Sequence, residues 1–135
     1  MHSIDIKVRG YHLDLYGHVN NARYLEFLEE ARWAYFDHHG GLEAFLASSL
    51  AFVIVNININ YRRPALMNET MRISTQIASV GGRSAVIQQR VTLGESDTMI
   101  ADANVTFVMF DSKIDKVVPI EGALRVRLEG LCASA

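Results

Sequence analysis

The feature that most limits how this chain can fold is a change of period at Ala51. Ahead of it lies one stretch long enough for a substantial helix, and after it apolar residues recur at every second position. Val53, Val55, Ile57, Ile59 and Tyr61 alternate with Ile54, Asn56, Asn58 and Asn60, which reads as a strand with one apolar face and one bearing asparagines. Arg62, Arg63 and Pro64 end it. Three more strands are expected at about residues 68–80, 83–93 and 98–111. Their apolar faces are Met71, Ile73 and Ile77 in the first, and Met99, Ala101, Ala103, Val105, Phe107 and Met109 in the last. Gln88, Arg90 and Thr92 face outward in the middle one. Gly81 and Gly82 make a hairpin turn, and residues 94–97 and 111–116 make two more. A short strand at 117–120 and a short helix over 121–131 close the chain.

Before Ala51, residues 3–9 alternate Ile4, Ile6 and Val8 against Asp5, Lys7 and Arg9, a half-buried strand that Gly10 ends. A polar loop follows, and then a helix over about residues 21–39. Tyr24, Leu28, Ala31 and Tyr35 form its apolar stripe, broadened by Phe27 and Ala34, and Trp33 and Phe36 also read as core. Arg23, Glu26, Glu30 and Asp37 take the polar side. Asn20 or Asn21 is placed to cap the first turn, and Gly40 and Gly41 to stop the last. A shorter helical piece is expected over 42–48. One strand, a helix and then antiparallel strands make an α+β chain, and 135 residues make one domain, 1–135.

Bulk properties narrow the function by exclusion. A net charge of −2 gives no nucleic-acid footprint. No apolar run reaches the ~20 residues of a membrane span, and the first residues lack a signal peptide's apolar block. One cysteine, Cys132, rules out an internal disulfide and fits a reducing cytoplasm. No Cys/His cluster has zinc spacing, and no familiar glycine-rich phosphate loop is present. Adjacent His38 and His39 read as a solvated helix end.

That leaves the loop at residues 11–20. It places an acid, Asp14, a glycine, Gly17, and a histidine, His18, just ahead of the helix start. A helix N-terminus offers unpaired N–H groups and partial positive charge. An acid beside it is a base or a nucleophile, or else it caps a turn or pairs with Arg9 or Arg23.

Asp14-Leu15-Tyr16-Gly17-His18-Val19-Asn20-Asn21-Ala22-Arg23-Tyr24, continuing to Arg32, resembles the acid-plus-HVNN signature of hotdog-fold acyl-CoA thioesterases. A second block, Phe52 to Ala65, resembles the same group. The chain is identified as similar to the 4-hydroxybenzoyl-CoA thioesterase-like class, and within it to the bacterial long-chain acyl-CoA thioesterases. The resemblance implies an antiparallel sheet wrapped around one long central helix. It also implies hydrolysis of long-chain fatty acyl-CoA to fatty acid and coenzyme A, with no cofactor and no metal. Sites of this fold lie between two subunits, so a homodimer is the minimum and a homotetramer is expected.

By resemblance Asp14 is nucleophile or general base, and the amide polarising the thioester carbonyl falls at Tyr24 or a neighbour. Some relatives carry Asn two residues after the acid and use it with the histidine. Here that position is Tyr16, which leaves His18 to orient Asp14, position water or bond the loop. Asn20 and Asn21 are substrate-binding candidates whose competing role is to cap the helix, and Asn58, with Asn60, sits on the face away from the helix, at the pocket edge or subunit contact. Arg62, Arg63 and Arg83 stand at strand ends beside turns, where guanidinium forks suit coenzyme A phosphates. An apolar helix wall suits an alkyl chain. Two other readings compete. One is a hotdog enoyl-CoA hydratase using Asp14 and His18, and the other is a non-catalytic acyl-CoA binding protein.

Overall fold

A computed structural model describes residues 1–41 and 49–133, so the helical piece expected over 42–48 lies outside the described residues. The elements are β1 (His2–Lys7), a 3-10 turn (Gly10–His12), α1 (Arg23–His38), β2 (Leu50–Tyr61), β3 (Thr70–Val80), β4 (Ser84–Leu93), β5 (Met99–Asp111), β6 (Lys116–Val118) and α2 (Gly122–Ala133). Among the described residues the strands form one antiparallel sheet in the order β1-β3-β4-β5-β2. β6 pairs with β5 alone. The architecture is therefore α+β, with helix and strands segregated as the change of period implies.

Three one-residue irregularities shape the sheet, and a period-two reading cannot see them. Between β2 and β5 the register runs Ile54↔Phe107 and then Asn56↔Thr106, leaving Val55 unpaired. An extra residue shifts alternation by one. The core side of β2 is therefore Phe52 and Ile54 before the bulge and Ile57, Ile59 and Tyr61 after it, opposite the buried Met109, Phe107, Val105, Ala103 and Ala101. The expected apolar face of Val53, Val55, Ile57, Ile59 and Tyr61 is corrected accordingly: the bulge takes Val53 and Val55 off the side of Ile57 and Ile59, and Ile54, though itself exposed, is the one in register with the buried Phe107. A second shift leaves Ala78 over between β3 and β4. A third, at Ile100 on β5, buries Ile100 and moves Met99 off the face of Ala101 and Ala103.

α1 carries Tyr24, Phe27, Leu28, Ala31 and Tyr35 on its buried side, matching the expected stripe. Trp33 does not belong with them and is 65% exposed. It stands two residues from both Ala31 and Tyr35, and such positions do not share a helix face. The stripe packs with Met71, Ile73, Ile77, Ile87 and Phe107 in one core. Burying each large apolar side chain contributes about 1.5–3 kcal/mol.

Polar bolts fix the helix on the sheet. Gln89 of β4 is fully buried; its amide donates to the Leu28 carbonyl (2.9 Å) and to Thr75 Oγ1 (3.0 Å). Its Oε1 accepts from the Arg32 guanidinium at 3.1 Å. Farther along, the Tyr35 hydroxyl accepts the Ile77 N–H beside the β3 bulge, 3.2 Å away. α1 ends where expected. Gly40 and Gly41 have φ of 90° and 76°, and the Gly41 N–H returns to the Phe36 carbonyl at 2.8 Å. α2 packs on β3, where the Gln76 amide donates to the Leu131 carbonyl at 2.6 Å. Cys132 on α2 is half-buried, and burial, with Glu129 second, pushes its thiol pKa up.

Candidate active site

The loop ahead of α1 is closed by its own polar groups. The Asp14 N–H donates to the His18 carbonyl (2.8 Å), and the Gly17 N–H donates to the Asp14 carbonyl (3.1 Å). Gly17 has φ of 77°, the left-handed conformation that this reversal requires and that side chains disfavour. Asp14 Oδ1 accepts the N–H groups of Tyr16 (2.9 Å) and His18 (3.3 Å). The turn-capping reading of Asp14 therefore holds for one oxygen. It pairs with neither Arg9 nor Arg23; the Arg23 guanidinium instead reaches Glu26 (3.0 Å) and the Tyr11 carbonyl (3.3 Å). Among the described residues no side chain donates to Asp14 Oδ2, and Leu15 and Tyr16 beside it are 92% and 79% exposed.

Backbone bonds anchor this loop to its neighbours. Val19 donates to the Ala65 carbonyl (3.0 Å) and Asn20 to the His12 carbonyl (2.9 Å). His12 was not singled out from sequence, yet it is buried, with Nδ1 accepting the Arg9 N–H at 2.9 Å and Phe27 edge-on at 5.0 Å. Burial above all, with Arg23 next, lowers its pKa. Its signal in the sequence was an apolar-flanked histidine facing a helix aromatic, which a single chain does not distinguish from a surface histidine.

The bond to His12 keeps Asn20 and Asn21 in the loop, which corrects the expected helix start. α1 begins at Arg23 with Ala22 as its N-cap residue, and no side chain caps it. Asn20 Oδ1 accepts the Ala22 N–H (2.9 Å), just ahead of the helix, and the Asn21 carbonyl accepts the Tyr61 hydroxyl (2.9 Å). The Arg23 N–H goes to the Asn20 carbonyl and the Leu25 N–H to the Ala22 carbonyl. Between them the Tyr24 N–H has no acceptor among the described residues, as expected of a first-turn amide. The Tyr24 ring is buried edge-on to Tyr61 at 5.3 Å, and burial raises its pKa.

Tyr61 brings the end of β2 to this place, and with it Arg62 and Arg63. Both arginines are engaged. Arg62 Nε donates to Asp102 (2.9 Å), which also accepts from Asn60 (3.2 Å). Arg63 spreads its fork over both Glu69 oxygens at 3.0 and 2.9 Å. Asn58 is exposed on β2 opposite Asn104, three residues or ~10 Å of strand from Tyr61. Arg83 is exposed in the β3–β4 turn, at the far end of β4 and ~30 Å of strand away. Asp14, His18, Asn20, Asn21, Tyr24, Arg62 and Arg63 are thus gathered around one helix start, and Arg83 is not.

An antiparallel sheet bolted to one long helix, with an acid loop feeding that helix, defines a hotdog-class α+β protein. The family model described as the thioesterase-like superfamily matches residues 8–128, and the chain belongs to that superfamily. Among curated proteins it is 51% identical to the long-chain acyl-CoA thioesterase FadM of Escherichia coli, over 92% of this chain and 94% of that one. It is 35% identical to the acyl-CoA thioester hydrolase YbgC of the same species over 73% of each. Among solved structures, the probable thioesterase YbaW of Escherichia coli superposes with a TM-score of 0.81 at 45% identity, covering 96% of this chain and 98% of that one.

Proposed function

We propose that the protein hydrolyses long-chain fatty acyl-CoA thioesters to the free acid and coenzyme A. The observation that carries this is that the loop feeding α1 holds an Asp14 carboxylate only half committed to its turn, while the Tyr24 amide in the first turn of that helix has no acceptor among the described residues. Kinship with FadM at 51% identity supports the same reading and the long-chain substrate.

In this mechanism the thioester oxygen takes the Tyr24 N–H as charge builds on it, an interaction that typically contributes ~2.7–4 kcal/mol to a transition state. Asp14 either attacks the carbonyl carbon, giving an anhydride that water opens, or removes a proton from the attacking water. In both routes the C–S bond breaks, the thiolate leaves and takes a proton, and the acid departs. His18 positions the water or the carboxylate. Only substrate, water and protein groups take part, with no cofactor or metal. Of the three candidate arginines, Arg62 is the one best placed for coenzyme A phosphates, because only its Nε is committed, to Asp102, while Glu69 holds the Arg63 fork and Arg83 stands apart from the site.

The working unit in this reading is a cytoplasmic homodimer, itself paired into a tetramer, with the sheet wrapped around α1. β2 supports it, being an edge strand of 12 residues that exposes Val53, Ile54 and Val55, a template for a second strand. Asn58 lies on the same edge strand.

The test is thiol release from palmitoyl-CoA by the wild type and by Asp14→Asn. Rapid release by the first and little by the second is the expected result. Equal release by both removes Asp14 from the mechanism. No release, with loss of enoyl absorbance from an enoyl-CoA, makes the protein a hydratase.

A further inference from the structure

Away from the acid loop, the second half of α1 and the start of β2 enclose a cavity of about 500 Å³, within the range of small-molecule sites. Trp33, Phe36, Phe52, Ile54, Ile87 and Phe107 supply apolar walls. One cation also lines it. Arg32 is 8% exposed, and its single hydrogen bond among the described residues goes to the neutral Gln89 amide oxygen at 3.1 Å. A guanidinium has five N–H donors, so one bond leaves most of them unspent. Those donors are not sealed in protein: among the described residues only His2 Nδ1 is buried without a partner. They keep some solvent access, and Arg32 is part of the cavity lining. No carboxylate among the described residues lies within ion-pair distance of Arg32; Glu29, exposed on the cavity lining, is the one whose charge acts on the guanidinium, and the exposed Asp37 lines the cavity as well.

A buried cation whose one hydrogen bond goes to a neutral group, with only the exposed Glu29 carboxylate acting on it from beyond ion-pair distance, is costly unless a further anion reaches it. Apolar walls with a cationic floor complement one chemistry: a carboxylate carried on an alkyl or aryl body, held by the planar fork. The geometry points to a binding site here for an amphipathic monocarboxylate, with Arg32 as its anchor. Two sources share that chemistry. One is a free fatty acid, the product under the proposed function, bound apart from the thioester-cleaving groups. The other is the far-end carboxylate of an acyl-CoA made from a dicarboxylic acid. Along α1 the eight steps from Tyr24 to Arg32 rise ~12 Å, so an acyl chain held at one end spans to the other.

The chain has one tryptophan, Trp33, and it lines the cavity, so wild-type fluorescence reports occupancy directly. Sodium dodecanoate, titrated below micelle formation, is expected to change that signal saturably and to bind at least tenfold more tightly than dodecanol. Asp14→Asn is expected to bind dodecanoate as the wild type does, so the result stands or falls apart from turnover. Arg32→Lys, which keeps the charge and loses the fork, should weaken the acid and not the alcohol. If ω-carboxyacyl-CoA then shows a higher kcat/KM than simple acyl-CoA of equal length, the anchor serves substrate. If it does not, while dodecanoate inhibits thiol release, the anchor serves product. Equal binding of acid and alcohol, or of neither, overturns the proposal. So does a loss of dimer in Arg32→Lys without any acid binding, which makes Arg32 a subunit contact.

Discussion

Asp14 divides its two oxygens between structure and chemistry. Oδ1 takes the Tyr16 and His18 amides, so an alanine there removes a turn as well as a base. Asparagine keeps an acceptor and loses the basicity. Asp14→Asn is expected to lower palmitoyl-CoA thiol release by about 10²–10⁴-fold with thermal unfolding close to wild type, read by scanning calorimetry. His12 gives a residue-scale prediction about pH. Burial, the first cause in each case, lowers the pKa of His12, His2 and His39, so the unfolded chain binds protons that the folded one refuses. Their penalty is absent above the unfolded histidine value near ~6.5 and grows as pH falls through it. Melting temperature should therefore drop between pH 7.5 and pH 5, and His12→Gln should flatten that drop. Asp14, His18 and Tyr24 were legible because a short motif places them. His12 and Arg32 were not, since what distinguishes them is burial by residues far away in sequence.

At the scale of elements, the strands and both helices follow from periodicity nearly to their ends, while the faces of β2 and β5 do not. Alternation counts every residue, and Val55 and Ile100 each add one that has no partner. The helix start moved for a similar reason. Asn20 is a good capping residue, but its N–H is taken by the His12 carbonyl, which holds it in the loop. Gln89 is the element-scale hinge of stability, tying β4 to α1 and β3 through Leu28, Arg32 and Thr75. Gln89→Leu should cost about 1–3 kcal/mol, since it strands buried partners, measured as a shift of the urea midpoint at unchanged slope. Fluorescence should keep Trp33 in a native-like setting in the same variant, because Trp33 is 65% exposed and takes no part in the Gln89 bonds.

At the scale of the whole molecule, one edge of the sheet is finished and the other is not. β1 ends one side with alternating exposed and half-buried residues, and the Asp5 carboxylate there is held by Arg72 at 2.9 and 3.1 Å. β2 ends the other with consecutive exposed Val53, Ile54 and Val55. Val55→Lys, at the unpaired bulge position of β2, should leave the monomer folded and convert the proposed dimer to monomer in sedimentation, because a charged edge rejects a second strand. A dimer that survives places its contact elsewhere.

The thiol on α2 bears on how all of this is measured. Cys132 is the chain's one sulfhydryl, and burial keeps its proton on. A thiol-specific dye reacts with thiolate, so the native protein adds only a slow, flat blank to the coloured signal. The sulfur that the dye sees early in a run belongs to the coenzyme leaving the enzyme, and a sudden rise in the blank on heating dates the opening of the C-terminal helix.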